Sequence, residues 1–404
     1  MLPTISHYPV NWVDGMKISR RHFAQADQCV TDHLRDATAL HLRSYNYGLL
    51  PTADELGSPT FELLLHVDAQ NEVQARLTHC RAVTAGGARI EITPSSAPLT
   101  ARTNLVQLLN TYNLPATEGM RFAVLVTVNP FERVPVGIPA ADELPPRHPH
   151  TIPQYGLSVV PVQHLNTAVS EAFALSVGEL QLSNGELRAV SHFVPPCAAL
   201  ASHPVLLQAL HQLELQLSEL EADAFKIIQK VKLRTDKSNA LADLVRGLAE
   251  HTVLAVAQQL TTLRLMAAEQ PPIYLLDALL RVAKQVKSSL ESLTEAEREE
   301  LLKYFEQWSE ILPATLLGAL NTAVTLTYNH QQVHEHLRQQ HYLWAMLGAI
   351  FRQLRQLEYI GKNKEGWQSF INENPLAAEA PSRASGLDAR AVASPVTAWS
   401  PFAQ

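Results

Sequence analysis

Cysteine, aromatic residues, net positive charge and long apolar runs are all scarce in this chain, and each shortage removes a class of function. Cys29, Cys80 and Cys197 are the only cysteines in 404 residues. They are too far apart for a disulfide framework or for the paired spacing of a zinc site. A formal charge of -7 opposes nucleic-acid binding by phosphate neutralisation. No apolar run reaches the roughly 18–20 residues needed to cross a bilayer. The N-terminus also lacks a basic segment followed by an apolar core. The expectation is a soluble, cytoplasmic protein with no direct membrane insertion, peripheral to a membrane only through partners. G-x-S-x-G, G-x-x-x-x-G-K-[ST] and G-x-G-x-x-G are all missing, so nucleophile elbow and phosphate cradle have no carrier. No catalytic residue, cofactor or metal is assigned, and the chain is not expected to be an enzyme.

Histidine is the exception to this scarcity, with 17 copies. His330, His334, His336 and His341 form the densest group. His330 and His334 are spaced i, i+4 and are expected to share one face of a helix. Glu335 falls between His334 and His336, so the H-E-x-x-H arrangement is not made. The group reads as a solvated helical face, and a metal-dependent hydrolase is kept only as a rival. His148 and His150 lie in a proline-rich stretch and give a weak metal signal.

With 46% apolar residues over this length, two or three buried cores are expected. The stretch Asn11 to Gln25 organises the N-terminus. Asp14-Gly15 marks a tight turn, because Gly tolerates positive φ and Asp bonds its own backbone. Ser19 is placed to cap a helix running from about Arg20 to about Leu42. Phe23, Ala26, Val30, Leu34, Ala37 and Leu40 recur near a 3.6-residue period and give it an apolar stripe. Trp12 is expected to fill a core gap beside this helix, leaving the Asp14-Gly15 turn exposed.

From about Thr60 to Leu182 the texture changes to short strands. Phe61 to Leu65, Val73 to Val83, Ile90 to Ile92, Phe122 to Val128, Leu157 to Val162, Phe173 to Val177 and Glu179 to Leu182 are the candidates. Asn184-Gly185 is a hairpin dipeptide before Leu187 to Val190. This pattern fits a β-sandwich or small barrel, with an open α+β sheet as the alternative. Pro135 to Pro153 holds six prolines and is expected to be an extended loop rather than a packed element, either a docking arm or a solvated excursion.

From about His203 the chain reads as helical. Leu206, Leu210, Leu213, Leu217 and Leu220 recur at threes and fours, a seam able to bury against its own chain or join copies. Further helices are expected over Leu241 to Met266, Ile273 to Leu293, Glu295 to Leu312 capped by Thr294, and Ala314 to Tyr359 with a break near Tyr328-Asn329. The fold class is therefore an N-terminal helix and β-sandwich followed by an α-helical bundle and an α-helical C-terminal region. The expected divisions are 1–196, 197–270 and 271–372, with a disordered Ala/Ser/Pro-rich tail over 373–404. Trp399 and Phe402 stand in that tail.

Trp12, Asp14-Gly15-Met16 and His22-Phe23 with Gln25 resemble the opening of the TssK family, a baseplate component of bacterial type VI secretion systems. Arg20-Arg21 stands where that family usually has Pro-Gln, and Ala24 replaces a Gln. Tyr45-Asn46-Tyr47-Gly48-Leu49 and Asn129 to Gly137 (NPFERVPVG) are similar to later family segments. The resemblance implies a homotrimer with a β-sandwich shoulder over 1–196, like that of phage receptor-binding proteins. The shoulder would dock a wedge built with TssF and TssG. The resemblance further implies that 197–270 trimerises and that the C-terminal part reaches membrane-complex proteins such as TssL and TssM. It thus casts the chain as a structural adaptor in a contractile injection machine, with a phage-like tail or receptor-binding protein as the alternative. Trp12, Asp14, Gly15, Met16, His22 and Phe23 are then the expected partner interface, and the leucine seam joins the copies. The family's compact mixed head is not visible in Ile311 to Tyr359, which reads as all-helical.

Overall fold

A computed structural model describes residues 4–51, 60–94, 96–140, 142–165, 172–233 and 239–361. The chain divides into two compact units. The first holds Met1–Gln208, Ala267–Tyr274 and Tyr328–His334, and the second holds Ala209–Met266, Leu275–Thr327 and Glu335–Gln404. The second unit thus draws on both helical stretches that were divided at residue 270. The 373–404 tail, with Trp399 and Phe402, lies outside the described residues.

The first unit begins with helix α1 (Arg20–His41) and continues through two antiparallel sheets. The first sheet is built around β3 (Glu72–Val83). Strand β2 (Phe61–Val67) and the short β1 (Gly48–Leu49) pair with it, as do β4 (Arg89–Ile92) and β5 (Leu99–Asn104). Burial alternates along the first part of β3, with Val73, Ala75 and Leu77 inside, as a two-residue period over a one-sided core requires. The second sheet runs β7-β6-β8-β9, from β6 (Arg121–Val136), β7 (His150–Pro161), β8 (Ala174–Ser183) and β9 (Glu186–Ala189). Phe122 to Val126 is buried at every residue, so both faces of this part of β6 are covered. The sheets meet closely at Gly178, where a Cβ would fall 2.8 Å from Leu63 Cδ2. Arg121 clamps the second sheet through Nε to Glu179 Oε1 at 2.6 Å.

The expected strands are present, with β8 (Ala174–Ser183) standing in place of two. Strand β5 and helix α2 (Leu105–Tyr112) were not foreseen. Asn104 caps α2 by accepting from Gln107 N–H at 2.8 Å.

One expectation is met only in part. The two ends of the proline-rich stretch, Pro135-Val136 and His150 to Pro153, continue β6 and β7 as a paired ribbon, whereas the described residues from Gly137 to Pro149 lie outside the strands. Arg133 faces Pro153, Val134 faces Ile152, Pro135 faces Thr151 and Val136 faces His150. Beyond them Ala140 N–H donates to Arg147 O at 2.9 Å. Strand β8 pairs with β6 only as far as Thr127, so this ribbon runs on as a two-stranded arm. Proline lacks an N–H, so Pro130, Pro135 and Pro153 remove donors from its edges and discourage further strand pairing.

The second unit is helical, with α3 (Pro204–Lys232) entering it at Ala209, followed by α4 (Ala240–Met266), α5 (Pro272–Glu291), α6 (Glu295–Ser309), α7 (Pro313–Val324) and α8 (Val333–Gln356). Thr294 caps α6 as expected, and Glu297 returns the bond by accepting from Thr294 N–H at 3.0 Å. The expected break near Tyr328 is the stretch between α7 and α8. His330 precedes α8, so it does not share a helical face with His334. The carbonyls at the end of α8 are met by Lys230, whose Nζ donates to Leu357 O at 2.6 Å, while Arg355 binds Asp223 at 2.8 Å.

The leucine seam also has to be corrected. Leu206, Leu210, Leu213, Leu217 and Leu220 are all buried within this chain, none more than 7% exposed. They belong to its own core, so a second copy has to use other residues. Leu213→Ala is expected to cost about 2–5 kcal/mol of stability, read by urea unfolding. A loss under about 1 kcal/mol would contradict the burial.

Candidate docking face

Helix α1 lies with its polar side inward. Its buried residues are Cys29, Asp32, Arg35 and Ala39. Phe23, Val30, Leu34 and Leu40 are 62%, 57%, 65% and 55% exposed. The apolar stripe that periodicity marks is therefore the outer one. At 100° per residue, Phe23, Val30, Leu34 and Ala37 lie almost opposite Asp32 and Ala39.

Asp32 explains the inversion. Its side chain is 1% exposed, and a buried carboxylate is stable only with several donors. Ser6 N–H donates to Oδ2 at 2.8 Å and His7 N–H at 3.1 Å, with His7 Nδ1 at 3.2 Å. Arg35 donates to Oδ1 from Nε at 3.1 Å and from Nη2 at 2.9 Å. Arg35 Nη1 reaches Gly86 O at 3.1 Å. Gly87 lets the helix sit this close, since a Cβ there would lie 2.4 Å from Arg35 O. Burial raises the Asp32 pKa, but the bonds from Ser6, Arg35 and His7 outweigh it and hold the group at about 2.

The same hub ties the arm to the helix. His7 stacks on Phe131 with ring centroids 4.1 Å apart. Arg133 Nη2 lies 3.1 Å from Thr31 Oγ1 and 3.4 Å from Asp27 Oδ2. Asn129 Oδ1 accepts from Phe131 N–H at 3.1 Å, at the register shift in β6. Farther along the arm, Ile138 and Leu144 are 88% and 96% exposed.

Trp12 does not fill the core. It is 50% exposed and sits against Phe23, centroids 6.2 Å apart, and His22 at 6.0 Å. Because α1 turns its polar side to the fold, a loop packing on the Phe23 side meets solvent. Asp14 and Gly15 are exposed and Met16 is half-buried. Gly15 takes φ +79° in a turn closed by Met16 N–H to Val13 O at 3.2 Å. Ser19 is the N-cap residue of α1, and His22 Nδ1 accepts from its N–H at 3.2 Å.

The histidines do not converge. Among the described residues no group of three or more His, Cys, Asp or Glu is placed to hold a metal. His330 is 3% exposed, with Nε2 2.9 Å from Tyr47 O and Nδ1 2.7 Å from Tyr328 Oη. Burial lowers its pKa to about 4. A neutral ring that donates to Tyr47 and accepts from Tyr328 is a structural tie. Tyr47 leads into Gly48, where a Cβ would overlap Pro196 O.

No family model matches the chain, and no curated protein does. The chain is similar to solved TssK structures. A crystal structure of TssK matches with 14% identity and a TM-score of 0.47, covering 72% of this chain and 63% of that one. The match therefore spans less than two-thirds of that TssK chain. TssK from the type VI secretion system of EAEC, in complex with nanobody nb18, matches with 14% identity, 83% and 99% coverage and a TM-score of 0.42. A cryo-electron microscopy structure of the TssK-TssF-TssG baseplate subcomplex matches with 16% identity, 87% and 99% coverage and a TM-score of 0.43. At these values the likeness assigns neither partner nor activity to this chain.

The two segments that carry the TssK-like motif on α1 and at Asn129 to Gly137 meet in space, through Arg133 on Thr31 and Asp27. In the third, at Tyr45 to Leu49, Tyr47 and Leu49 are buried. The sequence reading missed Asp32, Arg35 and His7. A signal was available, since Asp32 and Arg35 stand one turn apart on the side opposite the apolar stripe.

Asp32 has a pKa of 3.8 in the unfolded chain and about 2 in the fold. Its contribution, about 2 kcal/mol, is complete above about pH 4 and drains away as pH falls toward 2. Asp32→Ala should lower stability at pH 7 by at least that amount, because it also strands Arg35. Near pH 2 the variant and parent should converge, as judged by urea unfolding at both values. A gap independent of pH would reject the carboxylate's role.

Proposed function

We propose that this chain is a structural adaptor of a type VI secretion baseplate. In this reading it binds wedge subunits of the TssF and TssG kind, assembles as a trimer, and links them to membrane-anchoring proteins such as TssL and TssM. It is cytoplasmic and peripheral to the inner membrane through those partners, and it performs no reaction. The observation that carries the reading is the outward apolar face beside the TssK-like motif. Trp12 and Phe23, which belong to that motif, are large apolar groups left in solvent at the first turn of α1. Exposed apolar clusters of this kind mark contact sites.

The wedge contact is assigned to the Trp12 loop and to the arm ending near Ile138 and Leu144. Both are anchored through α1, the loop beside Phe23 and the arm through Arg133 and Phe131. A paired two-stranded base loses less entropy on docking than a free loop would, which leaves more of the apolar burial as affinity. Three copies held together would also raise the effective concentration of each later contact. The three-copy arrangement rests on the family resemblance, and its contacts lie outside the buried leucines.

Capture of co-expressed TssF and TssG by the tagged chain tests the reading. Trp12→Ala combined with Ile138→Asp should weaken capture about thirtyfold, the effect of a ~2 kcal/mol hot spot, with folding unchanged by circular dichroism. Failure of the parent chain to retain either protein would reject the adaptor reading.

A further inference from the structure

Helix α8 buries polar groups together with its apolar ones. Gln340 is 0% exposed and Trp344 is 1% exposed. Among the described residues, neither Nε2 nor Oε1 of Gln340 has a hydrogen-bond partner, and Trp344 Nε1 has none either. The two residues stand four positions apart on one helix, so their side chains lie on the same face, one turn from each other. Leu337, Leu343 and Leu347, on the same side of α8, are buried as well, and none of them can supply a bond. A carboxamide taken out of water with none of its bonds made is strongly disfavoured, because the bonds it made to solvent are lost with nothing in return. In native folds such a group is paired with protein or with ordered water. A second unpaired donor on the same face, one turn away, points to a single partner shared by both.

We infer that Gln340 and Trp344 hold an internal water molecule within the helical unit. The chemistry of the two side chains selects that guest. Together they present N–H donors at Gln340 Nε2 and Trp344 Nε1 and an acceptor at Gln340 Oε1. An anion would suit the donors and be repelled by Oε1. A cation would suit Oε1 and be repelled by the N–H groups. Water accepts and donates at once, is small enough to sit between two side chains, and makes about three bonds in buried sites of this kind. It accepts from Trp344 Nε1–H and donates to Gln340 Oε1. With those bonds made, Gln340 supports the fold as a polar residue on an otherwise apolar face. Both residues belong to the second unit, so the site stands apart from the Trp12 loop and the arm and does not rest on the adaptor reading.

Urea unfolding of the full chain tests the shared water through a double-mutant cycle. Gln340→Met keeps the length of the side chain and removes its polar end. Trp344→Phe removes the indole N–H. Each change leaves the water short of a bond, so each should lower the urea midpoint. The double variant keeps no polar group to hold the water, so its midpoint should fall by less than the two single shifts added together. A dry, unpaired carboxamide gives the opposite result, a midpoint raised by Gln340→Met. A crystal structure of the parent chain, resolved well enough to order internal waters, decides the matter even where a variant does not fold. It should show density at hydrogen-bond distance, about 3 Å, from both the Gln340 carboxamide and Trp344 Nε1.

A raised midpoint for Gln340→Met, additive shifts in the cycle, a crystal structure without that density, or a carboxamide bonded directly to protein would each overturn the site. Capture of TssF and TssG by the parent chain bears only on the adaptor reading.

Discussion

A single carboxylate decides how the N-terminal part of this protein presents itself. Asp32 is removed from water and survives as an anion because six donor atoms surround it. They are the backbone N–H groups of Ser6 and His7, the Ser6 hydroxyl, a ring nitrogen of His7, and two guanidinium nitrogens of Arg35. Those donors come from two places, a segment preceding the helix and the helix itself. Arg35 is anchored in turn on the Gly86 carbonyl. An ionised group buried without such a set would cost several kcal/mol, so the helix can be rotated only at that cost. Its orientation follows from electrostatics, against the preference of its apolar residues.

The consequences run outward from the hub. With the polar side inward, Phe23, Val30 and Leu34 are left facing solvent, and Trp12 packs beside Phe23 without entering the core. His7 carries the same connection to Phe131, and Arg133 adds a second link to the arm. The arm is a prolongation of the β6-β7 ladder, and its prolines withhold the donors that another strand would need. Side chains near its end, Ile138 and Leu144, therefore offer shape and apolar area in place of backbone pairing. Elsewhere the buried polar groups hold segments together. His330 joins Tyr47 and Tyr328 as a neutral ring, and Lys230 closes the end of a helix.

Much of the fold was legible from residue order. Strand β3 alternates because one face is covered, and Asn184-Gly185 turns between β8 and β9 because both residues accept positive φ. Thr294 followed by Glu297 made the capping box its spacing implies. The errors share a cause. Leu206 to Leu220 and the α1 stripe are both apolar helical faces with nearly the same periodicity. One is buried by its own chain and the other is bare. Proline opposes sheets, yet the ends of the Pro135 to Pro153 stretch pair as a two-stranded ribbon whose open edges tolerate it, while its middle lies outside the strands.

The sequence by itself determined where most helices and strands run, where caps and hairpin turns fall, and that α1 carries an apolar stripe. It also carried the TssK-like motif at Trp12 to Phe23. Only the tertiary structure decided which side of α1 is covered and that the seam leucines serve this chain's own core. Periodicity is a local property that assigns residues to one face, whereas burial depends on what distant segments bring to that face. The backbone of Ser6 and His7 and the carbonyl of Gly86 supplied the partners that turned the charged side of α1 inward, and no pattern within the helix records them.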